Sequence, residues 1–592
     1  MKFGVAVKGI IRKDGKILVV KRAGGGTWET VGGGMDENES PQEALKREIM
    51  EEAEIMVDIK EPFNVFYFKN GNGEIKIGIT FLCDWISGEV VLSEEHSEHK
   101  WIEPGISNQS HHCTKKLKNI QKNMSKFYIT TPIYYTNAKP HIGHAYTTIA
   151  CDVLARFNRQ QLGDDKVFFL TGTDEHGAKI QKKAEEEGVE PQKFVDGFAE
   201  IFQDLWKQLN ISNNGFIRTT SPTHKLAVQK VLQTLHDNGS IYKGSYKGLY
   251  CVGCEQFKSE NELVDGKCPD HNIAPEEMEE ECYLMKMGKW QETLIEKIKS
   301  DEFKIQPERY KKEILSFLET QKLEDVSISR KNLKWGIEIP FDTQHTTYVW
   351  LDALLNYLTG IGWDGKSKNI PSMWPAEIQM LGKDILRVHA TIWAAILLNL
   401  EIELPKSLFI HGHILSGGKK MSKTLGNVIG IDEMIEKFGV DGTRYLLMSG
   451  GTFGDDLDLT MERMTEKYNA DLANGLGNLT SRVIKLAQNF QVPPPAIGFS
   501  DKISEFLNEF KFDAALEYIN NLVKDSNKYI EDNKPWELAK SDEQKFAEVM
   551  KKLLSDLNKI AELLTPFMPE TSSKIKTALE TKVAQPLFQR IK

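Results

Sequence analysis

Long hydrophobic runs are missing from this chain. Its longest apolar stretch, Ala390 to Leu400, carries polar interruptions and falls well short of the ~20 apolar residues a bilayer demands. The opening residues, MKFGVAVKGIIRKDGK, alternate like a strand and hold no cleavable signal pattern. Cysteine is scarce too. Seven residues, an odd number unevenly spread, make no disulfide framework, and three of them gather in a metal-like cluster. The expected setting is the cytoplasm, with no membrane partner. An excess of positive charge is also lacking. The formal net charge of −10 lowers the expectation of a nucleic-acid partner but leaves room for a local basic face.

What is present is an ordinary globular composition, 40% hydrophobic and 27% charged, in a chain of 592 residues that is too long for one core. Residues 1–106 read as mixed strand and helix. Residues 4–11 and 16–20 alternate around Asp14-Gly15, a strong hairpin signal. A helix is expected over 41–53, then strands around 63–67 and 76–85. Residues 107–124 are polar and basic without sustained periodicity and read as a linker. From Phe127 the pattern changes to a strand over 127–131, a helix from His141 and a strand over 167–170, which implies a parallel, doubly wound sheet. A Cys-rich segment over 250–271 interrupts it. Strand–helix alternation resumes near Thr346, and beyond about Asn474 the chain reads as helical.

Pro140-His141-Ile142-Gly143-His144 follows a strand and opens a helix. His141 and His144 share one face of the first turn, and the helix end should offer unpaired N–H groups and a positive dipole to a phosphate. Gly143 leaves room for an adenine ring. Taken alone, these residues could be two solvated or capping histidines. A second element is Lys420-Met421-Ser422-Lys423-Thr424, inside the Gly-rich SGGKKMSKTLGN. Two lysines on a mobile loop can close on the β- and γ-phosphates as the α-phosphate is attacked, contacts that strengthen in the transition state.

On these two elements the chain resembles the class I aminoacyl-tRNA synthetases, with Thr424 where a final Ser is more usual. From about Met124 onward it resembles the methionyl members of that class. TTPIYYTNAKPHIGH, TGTDEHG, YVWLDALLNYLTG, GKDILRVHATIW and the KMSK loop occur in that family's order. The resemblance implies ATP binding and catalysis by His141, Gly143, His144, Lys420 and Lys423, and an ammonium site at Asp174. It implies a side-chain pocket of Ile133, Tyr135, Trp350, Ala353, Leu354, Tyr357, Ile385 and His389. Aromatic rings and apolar walls suit a polarizable thioether. Singly, each of these residues would more readily be core. Relatives that activate branched-chain amino acids resemble one another in carrying a large editing domain, because one methylene discriminates weakly. Here the insertion is short, which favours methionine.

Cys251-x-x-Cys254 and Cys268-x-x-His271 are two ligand pairs at zinc spacing, the alternative being two disulfides or none. The resemblance makes this knuckle structural, with His271 where many relatives have Cys. It also matches Asn478, Arg482 and Trp536 to the anticodon-reading residues, the lesser alternative being that Trp536 simply packs. Asn and Arg hydrogen-bond base edges, and Trp stacks on an unstacked base. The implied partners are ATP, L-methionine and tRNA(Met). A C-terminal dimerising domain is not seen after LFQRIK, so a monomer is expected.

Near the N-terminus, Gly33-x5-Glu39-x7-Arg47-Glu48-Ile49-x-Glu51-Glu52-x-Glu54-Ile55 resembles the Nudix hydrolase box at all but one position. Ser40-Pro41-Gln42-Glu43 is a capping box with Pro at the first helical position. Glu48, Glu51 and Glu52 then share a helix face and repel one another unless a divalent cation, Mg2+, sits between them. A solvated acidic face is the plainer alternative. The departure is Glu54 in place of a helix-ending Gly, which leads us to expect an altered loop there. The expected fold is α/β. An N-terminal Nudix α/β/α sandwich (1–106) and the linker (107–124) precede a Rossmann-type catalytic domain (125–235 and 345–413). A zinc-knuckle connective insertion (236–344), a KMSKS and stem-contact region (414–474) and a helical anticodon-binding bundle (475–592) complete it. The expected activity is methionyl-tRNA synthesis, with the Nudix part hydrolysing a nucleoside diphosphate derivative. The competing reading is a non-activating tRNA-binding paralogue with the Nudix part as scaffold, which has no need of intact HIGH and KMSK elements.

Overall fold

The computed structural model describes residues 4–14, 16–24, 28–36, 39–69, 75–102, 126–251, 256–258, 263–269, 272–331, 333–366, 368–421, 427–487, 501–583 and 585–592. The chain divides into two compact units, Met1–Ser125 and Lys126–Lys592.

In the first unit the alternation around Asp14 becomes a hairpin. Strands Gly4–Lys13 and Lys16–Arg22 pair antiparallel with Arg12 opposite Ile17, and Asp14 takes the turn at φ 49°. Gly4–Lys13 also pairs in parallel with Ile75–Ser87, which pairs antiparallel with Met56–Lys69, so the sheet is mixed. The Met56–Lys69 strand is much longer than its sequence suggests. Pro62 hides it, because a residue without an N–H breaks the strand signature, and register shifts on either side of Pro62 absorb the misfit. Helix Pro41–Ala53 starts at Ser40, whose Oγ accepts from the Glu43 N–H at 3.3 Å while the Ser40 N–H donates to Glu43 at 2.8 Å. It lays Ala44, Leu45, Ile49 and Ala53 on Val7, Ile11, Leu18, Val20 and Phe81.

The second unit is built on a parallel sheet. Its strands run in the order Gly215–Arg218, Val167–Asp174, Phe127–Thr130, Ile378–Gly382, Ser407–His411, Lys304–Gln306. Every neighbouring pair is parallel. The sequence order reverses between Phe127–Thr130 and Ile378–Gly382, so a crevice opens beyond their C-terminal ends, where open α/β sheets bind ligands. Helix Ile142–Leu162 crosses behind this point with thirteen of its 21 residues buried, those at 145–155 without a break, so only its last turns keep a polar face. Between the two sheet halves, strands Ile241–Cys251, Gln256–Lys258, Glu276–Met285 and Val326–Ser327 form an antiparallel sheet. Helices Asn478–Leu486, Phe512–Asn533, Glu543–Leu564 and Pro569–Thr581 make the C-terminal helical region. They share one apolar core with helix Ile142–Leu162. Among the described residues no helix is long and apolar enough to cross a membrane.

Candidate functional site

The crevice holds a cavity of about 320 Å³. Its wall comes from the turn after Phe127–Thr130 (Pro132, Ile133, Tyr135), the end of strand Val167–Asp174 (Asp174), the helical turn Lys383–Ile385 that follows strand Ile378–Gly382 (Asp384, Ile385) and helix Val349–Leu354 (Val349, Trp350, Ala353, Leu354), with Lys179, Asn356, Tyr357 and His389. All nine residues expected at an amino-acid pocket therefore meet around one cavity, although they come from positions as far apart as Ile133 and His389.

At one end of that wall lies a fully buried polar pair. His389 sits in a π-helical segment, Val388–Trp393, and its Nδ1 donates to the Ile385 carbonyl at 2.9 Å. That leaves Nε2 as an acceptor, and the Tyr357 hydroxyl donates to it at 2.8 Å. Burial pushes His389 down to about 4, so the ring is neutral at neutral pH. With both hydrogens already placed, this end of the cavity presents neither charge nor an unmet donor from the pair. A second polar group fixes helix Val349–Leu354 from behind. Asp352 accepts from His176 at 2.6 Å and from His224 at 2.8 Å. Burial alone would raise its carboxyl, but the two imidazoles reverse this and hold it at about 2.

The two HIGH histidines cap their own helix. His141 Nδ1 accepts from the Gly143 N–H at 3.1 Å, and His144 Nδ1 accepts from the His141 N–H at 3.2 Å. The rings stack with centroids 3.7 Å apart. Burial, followed by the neighbouring His141, pushes His144 well below its usual value. Nδ1 is an acceptor in both, so each neutral ring carries its hydrogen on Nε2. The helix end thus differs from the sequence reading, because the Gly143 N–H is already bound and is not held open for an anion. Gly143 is constrained by the same contact, since a Cβ there would come within 2.9 Å of the His141 ring. Further along the chain, strands Ile414–Ser416 and Lys419–Lys420 form a hairpin whose turn residues Gly417 and Gly418 both have positive φ. Lys420 ends this hairpin, and Lys423 lies outside the described residues.

Of the expected zinc ligands, Cys251 ends strand Ile241–Cys251 and is 1% exposed, and Cys268 is fully buried. Cys268 follows a tight turn through Asp265 and Gly266, both at positive φ, and its backbone is held by Ile273 and Asn272. Cys254 and His271 lie outside the described residues. In the first unit the three acidic residues of the helix face do not converge as the sequence suggested. Arg47 stands among them, donating to Glu39 at 2.8 Å, Glu48 at 2.9 Å and Glu51 at 3.2 Å, and so orients these carboxylates. Glu52 turns inward to accept from the Gly32 N–H at 2.8 Å. Burial raises its carboxyl, with that hydrogen bond opposing. Gly32 is required by contact, because at φ 132° a Cβ would stand 2.3 Å from the Val7 carbonyl oxygen. Among the described residues no cluster of three or more metal-type side chains is assembled. The expected change of loop at Glu54 does not occur. Glu54 itself takes the left-handed cap, φ 50° and ψ 32°, and its N–H bonds the Met50 carbonyl.

Comparison with known proteins matches residues 127–277 and 271–484 to tRNA synthetases class I (M). Residues 501–588 match the anticodon binding domain of methionyl tRNA ligase, and residues 2–113 match the NUDIX domain. The chain is 44% identical over 477 residues to the methionine--tRNA ligase of Clostridium acetobutylicum, covering 77% of this chain and 74% of that one. It is 40% identical over 484 residues to the Rickettsia typhi enzyme of the same name, covering 78% and 95%. Its fold is similar to that of Mycobacterium tuberculosis methionyl-tRNA synthetase in complex with methionyl-adenylate, with a TM-score of 0.71 and 36% identity over 76% of this chain and 93% of that one. The chain belongs to the methionyl-tRNA synthetase family. It also carries an N-terminal NUDIX domain.

In the synthetase unit the sequence reading passed over three polar residues of the cavity wall: Lys179, Asn356 and Asp384. Each stands next to or near a residue that was named, and the signal was a polar group beside an otherwise apolar motif. At the helical end, Arg482 and Trp536 are brought together, the guanidinium 5.9 Å from the indole centroid. Arg482 is also paired with Glu531 at 2.8 Å. Trp536 is 40% exposed, so it is not a core residue, and Asn478 lies exposed one turn before Arg482 on the same helix.

Proposed function

We propose that the chain is a methionine--tRNA ligase that activates L-methionine with ATP and passes the methionyl group to tRNA(Met) in the cytoplasm. The observation that carries the choice of amino acid is the cavity, with a carboxylate at Asp174, apolar and aromatic walls, and the neutral Tyr357–His389 pair. An ammonium pairs with the first, and an uncharged thioether packs in the remainder. A methionine carboxylate oxygen attacks the α-phosphorus and pyrophosphate leaves with the bond's electrons. His141 and His144 Nε2–H groups, with Lys420 and Lys423, meet the phosphate charge. A terminal ribose hydroxyl of the tRNA then displaces AMP from the carbonyl. Arg482, Trp536 and Asn478 are the proposed anticodon readers. The test is methionine-dependent ATP–pyrophosphate exchange. Exchange driven equally well by isoleucine or leucine would refute the assignment.

Zinc suits the insertion, where Cys251 and Cys268 supply buried thiols and Cys254 and His271 complete the set. It would act structurally. Elemental analysis that finds no zinc in purified protein would remove it. For the N-terminal domain we propose magnesium-dependent hydrolysis of a nucleoside diphosphate derivative, with diadenosine tetraphosphate the first compound to assay. Glu52, bonded to the Gly32 N–H at 2.8 Å, and Glu48, packed against Gly33, bring two carboxylates to one turn, which favours a cation there; burial is the main cause that raises the Glu52 carboxyl. When bound, magnesium would activate water for attack on a pyrophosphate. Glu51 and Glu52 would hold it, Glu48 would assist, and Arg47 would orient the carboxylates. Turnover of dinucleoside polyphosphates that is equal in Glu51→Gln, Glu52→Gln protein would leave the domain a scaffold.

A further inference from the structure

Among the described residues the cavity wall contains two carboxylates, Asp174 and Asp384, and one lysine or arginine, Lys179. His389 adds no charge, since burial keeps it neutral at neutral pH. An amino acid brings an ammonium and a carboxylate on the same carbon, so the groups that receive them must be neighbours. Asp174 ends strand Val167–Asp174, and Lys179 lies in the first turn of helix Ala178–Glu186, five residues further on. The turn between them is fixed. Gly177, at φ 123°, donates to the Trp335 carbonyl at 3.2 Å, and the Glu175 and His176 side chains are buried in hydrogen bonds. Lys183, one turn beyond Lys179 on the same helix, is bound to the Asn137 carbonyl and does not line the cavity.

We infer that Lys179 binds the α-carboxylate of the amino acid whose ammonium Asp174 receives. This rests on the proposed reading of the cavity. Lys179 holds one carboxylate oxygen while the other forms the new bond to phosphorus and the bond to pyrophosphate breaks. The contact already exists with the bound amino acid, so its loss falls on substrate binding more than on the chemical step.

The test uses the full-length protein and two ligands that differ only at the carboxylate. Methionine is measured as the substrate of exchange, and methioninol, which has a hydroxymethyl group instead, as a competitive inhibitor. Lys179→Met is expected to raise KM for methionine roughly ten- to hundredfold, the range for one hydrogen bond to a charged group. Turnover should change by less than about threefold, the methioninol inhibition constant should hold within about twofold, and Lys179→Arg should recover part of the loss. Equal weakening of both ligands would mean that the cavity had deformed. A fall in turnover with KM unchanged would place Lys179 on ATP, and no change in either would leave it a surface residue. Each of these overturns the inference. Absence of methionine-dependent exchange in the unaltered protein would instead sink the reading of the cavity itself.

Discussion

Arg444 offers the sharpest test of how the synthetase unit is held together. Its guanidinium and the Asp152 carboxylate are both fully enclosed and lie 2.7 Å apart. The same guanidinium donates to the carbonyls of Phe567 at 2.8 Å, Pro566 at 3.0 Å and Leu209 at 3.2 Å. One side chain thus joins helix Ile142–Leu162, the chain leaving the next helical layer and the turn before helix Pro569–Thr581. Removing one partner of a buried pair costs about 3–5 kcal/mol, because the other charge is left uncompensated. Asp152 would keep Arg156 at 2.7 Å and the Ser212 N–H and hydroxyl at 2.7 and 2.6 Å, which reduces its share of the loss. Three carbonyls would lose a donor at once, at roughly 1 kcal/mol each and not additively. We expect Arg444→Met to destabilise this unit by about 4 kcal/mol, read from the shift of the urea midpoint at constant slope. In the cycle with Asp152→Asn, the double variant should be less damaged than the sum by about 1–3 kcal/mol. A loss under about 1 kcal/mol for the single variant, or additivity within about 0.5 kcal/mol, would refute the reasoning.

Three further outcomes follow from the same geometry. His389 is held at about 4 against an ordinary value of 6.5, so the unfolded chain takes up the proton first as pH falls. Its contribution to stability is complete above the ordinary value and is lost between 6.5 and about 4, roughly 3 kcal/mol in all. Melting temperatures of the His389→Gln variant should lack this part of the slope, and an unchanged slope would exclude His389 as its source. Glu54 adopts a left-handed conformation that costs an L-residue about 1–2 kcal/mol, whereas Gly there carries an unfolded-state penalty of about 0.4–1 kcal/mol. Glu54→Gly should therefore stabilise the first unit by up to about 1 kcal/mol, and a melting temperature that falls would contradict this. Trp536→Ala should lower tRNA charging by the equivalent of ~1–3 kcal/mol, one base stack, with exchange in the absence of tRNA unaffected. Equal losses in the two assays would make Trp536 a packing residue.

Local signals were the most legible part of the sequence. Ser40-Pro41-Gln42-Glu43 starts its helix where the capping box placed it, and Asp14 turns its hairpin, because the atoms that decide each are within a few residues. The doubly wound sheet was legible for a similar reason, from strand–helix alternation. Contacts at long range were not. Asp152 reads as one more residue in a helix until Arg444, 292 positions later, arrives beside it. The Met56–Lys69 strand was shortened by its proline, and the inward turn of Glu52 depends on a glycine twenty residues earlier. Charge pattern alone put a metal among Glu48, Glu51 and Glu52. It took the structure to show that Arg47 donates to the first two while Glu52 turns to the Gly32 N–H. At the cavity, motif spacing led to nine wall residues but stopped at Gly177, two residues short of Lys179.

The burial of helix Ile142–Leu162 bears on how these parts act together. Its first turn carries His141 and His144, and its third turn carries Asp152. Because Arg444 links that turn to the carbonyls of Pro566 and Phe567, the histidines and the C-terminal helices are joined through a single rigid element. That element cannot tilt without breaking a fully buried ion pair or opening the core it shares with Leu479, Val483 and Leu554. A helix with a solvent face could adjust its register to each substrate. One buried through its middle turns instead carries its N-terminal turn at a fixed angle, which suits the role proposed above for His141 and His144. The histidines add to this by spending their Nδ1 atoms on the helix end, so the rings are positioned before any phosphate arrives. Preorganisation here comes from the core beneath the site as much as from the residues in it.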